Sequence, residues 1–335
     1  MSRRVKATAP GKLELHESDD LAPGPGQVAL RVSCCGVCGS DLHWFHGNGP
    51  APAVCPGHEM CGEIESLGDG VEGLHSGQRV AVEPLLRCGA CAACLRGDYH
   101  LCPRLGLLGI TAEGGMADRV LAPAECLYAL PDSVDDSLGA LVEPTAVCVH
   151  AARLGGIGED SNVLVLGAGS IGLLSVVAAR QLGARHVAVS ARYPAQKELA
   201  LALGCDEVID PTRVTSSTVK PDVVIETVGG SADTLADSVE AVAPGGRIIM
   251  VGVFDHSPAF NPMTALMKEV TITAAMVYNR PGDRSDFDVA IGLLDERSSD
   301  MSALVTHTFP LEQAQAAFEC ASDKSSGSVK VQLAP

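Results

Sequence analysis

The segment from Asn162 to Gln181 constrains the fold more than any other. A continuous apolar run, Asn162-Val163-Leu164-Val165-Leu166, meets Gly167-Ala168-Gly169-Ser170-Ile171-Gly172, and an alanine- and leucine-rich stretch continues to Gln181. The run reads as a buried strand and the stretch after it as a helix. In a G-x-G-x-x-G joining the two, the first glycine makes the turn and the second lets a pyrophosphate approach the backbone. The third lets the helix pack on the strand. The chain holds 36 glycines, so the motif alone would be weak; the strand before it and the helix after it separate a dinucleotide cradle from an ordinary turn. Gly167, Gly169, Ser170, Ile171 and Gly172 are therefore candidate phosphate-binding residues, with free N–H groups at the helix start.

The alternation continues. His186–Ser190, Asp222–Glu226 and Arg247–Val251 read as further strands, with a helix around Gln196–Leu203. Repeated β-α units predict a parallel sheet covered on both faces, a doubly wound Rossmann arrangement. Val270–Ala274 reads as an edge strand, and such edges often pair across a two-fold axis. Earlier in the chain, Val28–Val32 and Arg79–Val82 are short strands bounded by glycine and proline, as in a barrel-like domain. Helices at Phe287–Asp295 and Leu311–Cys320 and a strand at Ser328–Leu333 close the chain. A length of 335 residues suits two domains.

The tip of the second strand bears on the cofactor. An NAD-preferring fold places Asp or Glu there to accept from the ribose hydroxyls. This chain has Ser190-Ala191-Arg192 instead. A small residue leaves room, a hydroxyl can donate, and an arginine can pair with a 2′-phosphate, so NADP is expected over NAD.

Composition removes several function classes. A formal net charge of −17 repels nucleic-acid phosphates and anionic membranes, and only 3% of residues are aromatic, too few for a base-stacking surface. No apolar run is long enough for a membrane span, and no apolar core follows the basic start at Arg3-Arg4. The cytoplasm is the expected compartment.

Four of the 13 cysteines, Cys88, Cys91, Cys94 and Cys102, fall within fifteen residues as C-x2-C-x2-C-x7-C. In a reducing compartment such clustering points to metal, and four thiolates with no open position describe a structural tetrahedral zinc site. Cys34, Cys35, Cys61, Cys126, Cys148, Cys205 and Cys320 read as small core residues. Three further segments carry metal-compatible side chains: Gly36-Val37-Cys38-Gly39-Ser40-Asp41-Leu42-His43, Pro56-Gly57-His58-Glu59 and Leu141-Val142-Glu143-Pro144.

Taken together these segments resemble a known family. Gly57-His58-Glu59-x2-Gly62-x5-Gly68-x2-Val71 looks like the signature of zinc-containing medium-chain alcohol dehydrogenases, with the four-cysteine lobe and glycine motif following in that family's order. Glu143 in Val142-Glu143-Pro144 and the tip Ser190-Ala191-Arg192 resemble the polyol branch of sorbitol, threonine and butanediol dehydrogenases. The resemblance implies a β-rich GroES-like catalytic domain over residues 1–150 and 280–335, with its structural zinc lobe at 86–104. It implies a Rossmann dinucleotide-binding domain over 151–279.

It also implies two zinc ions per chain, a homodimer or homotetramer, and hydride transfer between a small-molecule secondary alcohol or polyol, or its ketone, and NADP(H). Cys38 and His58 would be ligands of the catalytic zinc. Glu59 is a direct ligand in the polyol branch and a more distant partner elsewhere, and Glu143 would act directly or through the metal's water. Asp41 resembles the acid that orients the ligand histidine, while Ser40 and His43 resemble the proton relay. Trp44, Phe45, Leu108 and the Tyr278 region are candidates for shaping the substrate pocket. A zinc-free double-bond or quinone reductase of the same plan would not need Cys38, His58, Glu59 and Glu143 together. An inactive nucleotide-binding structural protein would show damage among them.

The reading of the strand tip is testable in solution. Changing Ala191 to Asp is expected to move cofactor preference toward NAD; an unchanged ratio of kcat/KM for NADP and NAD would contradict it.

Overall fold

The computed structural model describes residues 1–19 and 22–335, which divide into two compact units: Met1–Glu143 with Asn279–Pro335, and Pro144–Tyr278.

The second unit is built on a six-stranded parallel sheet. Numbered along the chain, its strands are Asn162–Leu166, His186–Ser190, Glu207–Ile209, Val223–Glu226, Arg247–Met250 and Thr271–Ala274, and they lie in the order 3-2-1-4-5-6. That is the doubly wound order, with its switch point between Asn162–Leu166 and Val223–Glu226. All five residues of the first strand are buried, which is why the sequence shows no alternation there. Helices Ser170–Gln181, Pro194–Ala202, Thr234–Ala241 and Pro262–Lys268 make four of the connections, and the 3-10 segment Pro211–Ser216 lies in the crossover between the third and fourth strands. Thr271–Ala274 stands at the edge, as its place at the end of the pattern predicted.

The glycine motif closes tightly. Gly167 has φ +97°, and a Cβ on Gly172 would lie 1.9 Å from the Gly167 carbonyl oxygen. No side chain caps the helix that begins at Ser170, so its first N–H groups point onward from Gly169.

The first unit centres on the long strand Gln27–Gly36, which pairs antiparallel with Glu59–Leu67, Arg119–Pro123 and Lys330–Ala334. Arg79–Val82 and Leu127–Ala129 extend the sheet on one side, and Val305–Pro310 on the other. Val28, Leu30, Val32, Met60, Ile64, Val80 and Val82 fill its interior. Trp44 and Phe45 on helix Gly39–Phe45 pack on Phe318, with ring centroids 5.4 and 5.2 Å apart. Phe318 belongs to helix Ala314–Ser322, which a short 3-10 turn at Leu311–Gln313 introduces, so the expected single helix from Leu311 is split.

Six of the seven cysteines read as core residues are buried; Cys320 is the exception and lies half-exposed on that helix. A face packed against the sheet is only part of a helix surface, and composition does not say which part a cysteine occupies.

One buried ion pair joins the last strand to the middle of the sheet. Lys330 Nζ donates to both oxygens of Glu59 at 2.8 and 2.7 Å and to the Val37 carbonyl at 3.3 Å. Both side chains are only 1% exposed. Two charges this deep are tolerable only as a pair. Lys330→Met is expected to destabilise the unit by about 3–5 kcal/mol, read by thermal or denaturant unfolding, because it strands the Glu59 carboxylate. Removing both partners together as Glu59→Leu with Lys330→Met should recover most of that loss; a double variant no more stable than the single one would contradict the pairing.

Candidate metal centre and dinucleotide segment

Strand register brings the first three metal-compatible residues together. Gly36 lies opposite Glu59 at the end of the ladder between Gln27–Gly36 and Glu59–Leu67. Cys38 follows two residues beyond Gly36, at the start of helix Gly39–Phe45, and His58 precedes Glu59. The ligand atoms of Cys38, His58 and Glu59 all lie within 4.8 Å of one another. The approach depends on a missing side chain, since a Cβ on Gly36 would fall 2.0 Å from Glu59 Oε2.

Glu143, in the first turn of helix Val142–Leu154, is buried but stands outside that 4.8 Å group. Burial opposes a charge on His58, but the thiol of Cys38 and the carboxylates of Asp41 and Glu143 outweigh it and hold its pKa well above the ordinary value. His58 Nδ1 is buried with no hydrogen-bond partner among the described residues. The expected Asp41–His58 hydrogen bond is therefore not formed. Asp41 instead accepts the Cys38 N–H at 3.0 Å, and burial raises its pKa. Its influence on His58 is through charge.

These residues fit a zinc ion. A thiol, an imidazole and a carboxylate converge in a buried place, and three such ligands leave a position open for substrate. Glu59 departs from a free ligand in that Lys330 holds both of its oxygens. Lys330 was missed in the sequence. Its signal was a lysine between Val329 and Val331, with Gln332 on the same strand face also buried.

Ser40 is half-buried and lines a cavity of about 220 Å³ with Asp41, Trp44, Pro50, Ala51, Pro52, Ala53 and Ile110. His43 lies one turn further along the helix and is half-buried. Of the residues expected to shape a pocket, Trp44 lines this cavity, whereas Phe45 and Leu108 belong to the core. Tyr278 is fully buried in the other unit.

The sulfurs of Cys88, Cys91, Cys94 and Cys102 also lie within 4.8 Å of one another, with Cys91–Cys94 at 3.5 Å and Cys88–Cys94 at 3.9 Å. Short helix Ala92–Leu95 places Cys94, and the turn Tyr99–Leu101 delivers Cys102. Backbone donation from Ala90, then Arg104, lowers the Cys88 thiol to about 5, while burial and Cys91 push Cys94 up to about 11. A thiolate beside thiols is what a metal-binding quartet offers before it loses its protons. The lobe is anchored from below: the Tyr99 hydroxyl donates to buried Glu83, Arg87 donates to Glu83 at 3.1 Å, and Arg87 sits 4.5 Å over the Tyr99 ring.

In the other unit, Ser190 is buried and its Oγ accepts the Gly167 N–H at 2.9 Å, so the second strand tip supports the glycine turn directly. Ala191 is fully buried and Arg192 is exposed. Glu226, also missed in the sequence, ends the strand beyond the switch point. It accepts from Val228 N at 2.7 Å, Gly229 N at 2.9 Å and Thr234 Oγ1 at 2.7 Å, fixing the loop beside the glycine motif. Among the described residues no helix is long and apolar enough to cross a membrane.

Comparison with known proteins agrees across the chain. Residues 24–132 match the Alcohol dehydrogenase GroES-like domain, and residues 170–296 match the Zinc-binding dehydrogenase family. Sorbitol dehydrogenase of Homo sapiens is 34% identical over 327 residues, which cover 92% of this chain and 90% of the relative. Among solved structures, a protein of Sinorhizobium meliloti 1021 assigned to the zinc-binding dehydrogenases and bound to NADP has a TM-score of 0.91 at 30% identity, covering 100% of this chain and 99% of its own. An alcohol dehydrogenase of E. coli CFT073 complexed with NADH has a TM-score of 0.90 at 28% identity, with coverage of 100% and 99%. The chain belongs to the zinc-dependent medium-chain alcohol and polyol dehydrogenases, oxidoreductases that act on CH–OH groups.

Proposed function

We propose that this protein transfers hydride between a secondary alcohol or polyol, or the corresponding ketone, and NADP(H), using one catalytic and one structural zinc ion. The unit of Met1–Glu143 with Asn279–Pro335 is the catalytic domain, and Pro144–Tyr278 binds the dinucleotide. The observation that carries this reading is the convergence of Cys38, His58 and Glu59 within 4.8 Å, separate from the four-cysteine cluster.

A zinc ion bound there supplies Lewis-acid polarisation of the substrate oxygen. Cys38 and His58 are the ligands. Glu59 would complete the set from its place on Lys330, and Glu143 would act on the metal directly or through its water. Asp41 fixes the Cys38 backbone and places a negative charge near His58. Ser40 takes the hydroxyl proton, and His43, three residues on along the same helix face, passes it to solvent. Gly167, Gly169, Ser170, Ile171 and Gly172 hold the pyrophosphate. Cys88, Cys91, Cys94 and Cys102 hold a closed zinc that stabilises its lobe.

NADP is favoured by the absence of a carboxylate at the strand tip and by the exposed guanidinium of Arg192. Ser190 spends an acceptor on Gly167 and keeps its hydrogen to donate. The exposed edge at Thr271–Ala274 suits a homo-oligomer, and the cytoplasm suits the unpaired cysteines.

Cys38→Ser is expected to lower turnover by about 10³-fold or more, to cut zinc from two ions per chain to one, and to leave NADPH binding by fluorescence titration nearly unchanged. Retained turnover would contradict the metal role. For the cofactor, Arg192→Ala is the companion to Ala191→Asp because its side chain is exposed. It should raise the KM for NADP about 10-fold and leave that for NAD nearly as it was.

A further inference from the structure

The cavity beside the metal-compatible residues narrows the substrate. It lies wholly in the first unit and is lined by Ser40, Asp41, Trp44, Ile110 and the wall Pro50-Ala51-Pro52-Ala53. It adjoins the metal cluster through Asp41, whose carboxylate holds the Cys38 amide.

Its polar capacity is nearly exhausted. Asp41 is 1% exposed and takes the Cys38 N–H, and the Trp44 indole N–H is turned on the same carboxylate. Pro50 and Pro52 have no N–H to donate. Ile110 and the two alanines offer only carbon from their side chains. Among the other lining side chains that leaves the Ser40 hydroxyl, at the end where the reacting oxygen belongs, beside the backbone groups of the wall. Among the described residues no lysine, arginine or histidine lines the space.

Resting on the dehydrogenase reading above, we infer that the substrate's substituent on the Trp44 side is apolar: the preferred substrates are secondary alcohols or ketones carrying an alkyl or aryl group, not open-chain polyols or phosphate esters. The several hydroxyls of a polyol entering this space would give up water and find few side-chain partners. A phosphate would meet the Asp41 carboxylate with no cation to pair it. An apolar group loses nothing by entering, and room is sufficient. An apolar cavity of about 150 Å³ accepts a benzene ring, and this one measures about 220 Å³. The two prolines fix the backbone of the wall, so the space is set before substrate arrives.

The test is a panel of 2-propanol, 2-hexanol, 1-phenylethanol, sorbitol and sorbitol 6-phosphate, assayed with the zinc-loaded protein and NADP. The kcat/KM for 2-hexanol and 1-phenylethanol should exceed that for 2-propanol by about 100-fold, given that a single methylene in an apolar pocket is worth about 10-fold or more. Both should also exceed sorbitol and its phosphate. Ile110 is 46% exposed, so Ile110→Arg can be accommodated without burying charge. It should lower the ratio of kcat/KM for 1-phenylethanol over 2-propanol about 10-fold and raise that for sorbitol 6-phosphate over sorbitol. Sorbitol or its phosphate outperforming 1-phenylethanol would overturn the inference and leave the dehydrogenase reading standing, as would an Ile110→Arg variant with unaltered ratios. No turnover of any alcohol would overturn both.

Discussion

The contact between Lys330 and Glu59 is the constraint on which the rest of the first unit depends. It spans 271 residues of sequence and is made where both groups are cut off from water. Lys330 is saturated: two N–H groups go to Glu59 and the third to the Val37 carbonyl. One ammonium therefore fixes the last strand, the end of the central strand and the carboxylate beside His58 in a single arrangement. Such a pair adds little net stability over apolar side chains of the same volume. What it contributes is position. Glu59 stands against Gly36 of the central strand, where only the absence of a side chain leaves it room.

The two cysteine-containing clusters differ in how they are assembled, and the difference matches their expected roles. Cys88, Cys91, Cys94 and Cys102 come from one short loop, so local turns bring them together with little help from the fold. Glu83, Arg87 and Tyr99 then dock that loop as a unit. Cys38, His58 and Glu59 come from two segments whose meeting requires the register Gly36↔Glu59 to be right. A slip of one residue would turn the carboxylate to the opposite face of the sheet. Sites that only stabilise can be local, whereas a site that must leave a position open is better held by rigid strands.

The same distinction explains what could be read from the sequence. The parallel sheet was legible because buried strands and glycine turns leave unbroken local patterns, and Asn162–Leu166, His186–Ser190 and Thr271–Ala274 stand within a residue of where those patterns put them. The four-cysteine lobe was legible from spacing alone. Cys38, His58 and Glu143 could be nominated only by resemblance, since nothing local ties residues so far apart. Lys330 and Glu226 were missed because their importance comes from what tertiary structure places opposite them: a carboxylate for one, two amides and a hydroxyl for the other. Leu108 and Phe45 were assigned to a pocket and lie in the core, because apolar residues look alike in sequence whether they line a space or fill it. Cys320 erred in the opposite direction.

Charge gives the strongest physical reason why the first cluster suits a divalent cation. Cys38, Asp41, Glu59 and Glu143 can each carry a negative charge, and Lys330 is the cation that Glu59, Cys38 and Glu143 together hold in its charged form against the cost of burial. His58 is pressed toward protonation by Cys38, Asp41 and Glu143. An imidazolium in that place would be a poor substitute for a metal, because its proton occupies the nitrogen lone pair that a ligand must offer. A divalent ion supplies two charges at once and frees that nitrogen. It leaves Lys330 to balance Glu59, so the carboxylate need not surrender all its charge to the metal. A metal whose ligands surrender less charge remains the better Lewis acid. With a metal bound there, the lysine buried behind the cluster would have a chemical consequence at the substrate's side of it, although it touches no substrate itself.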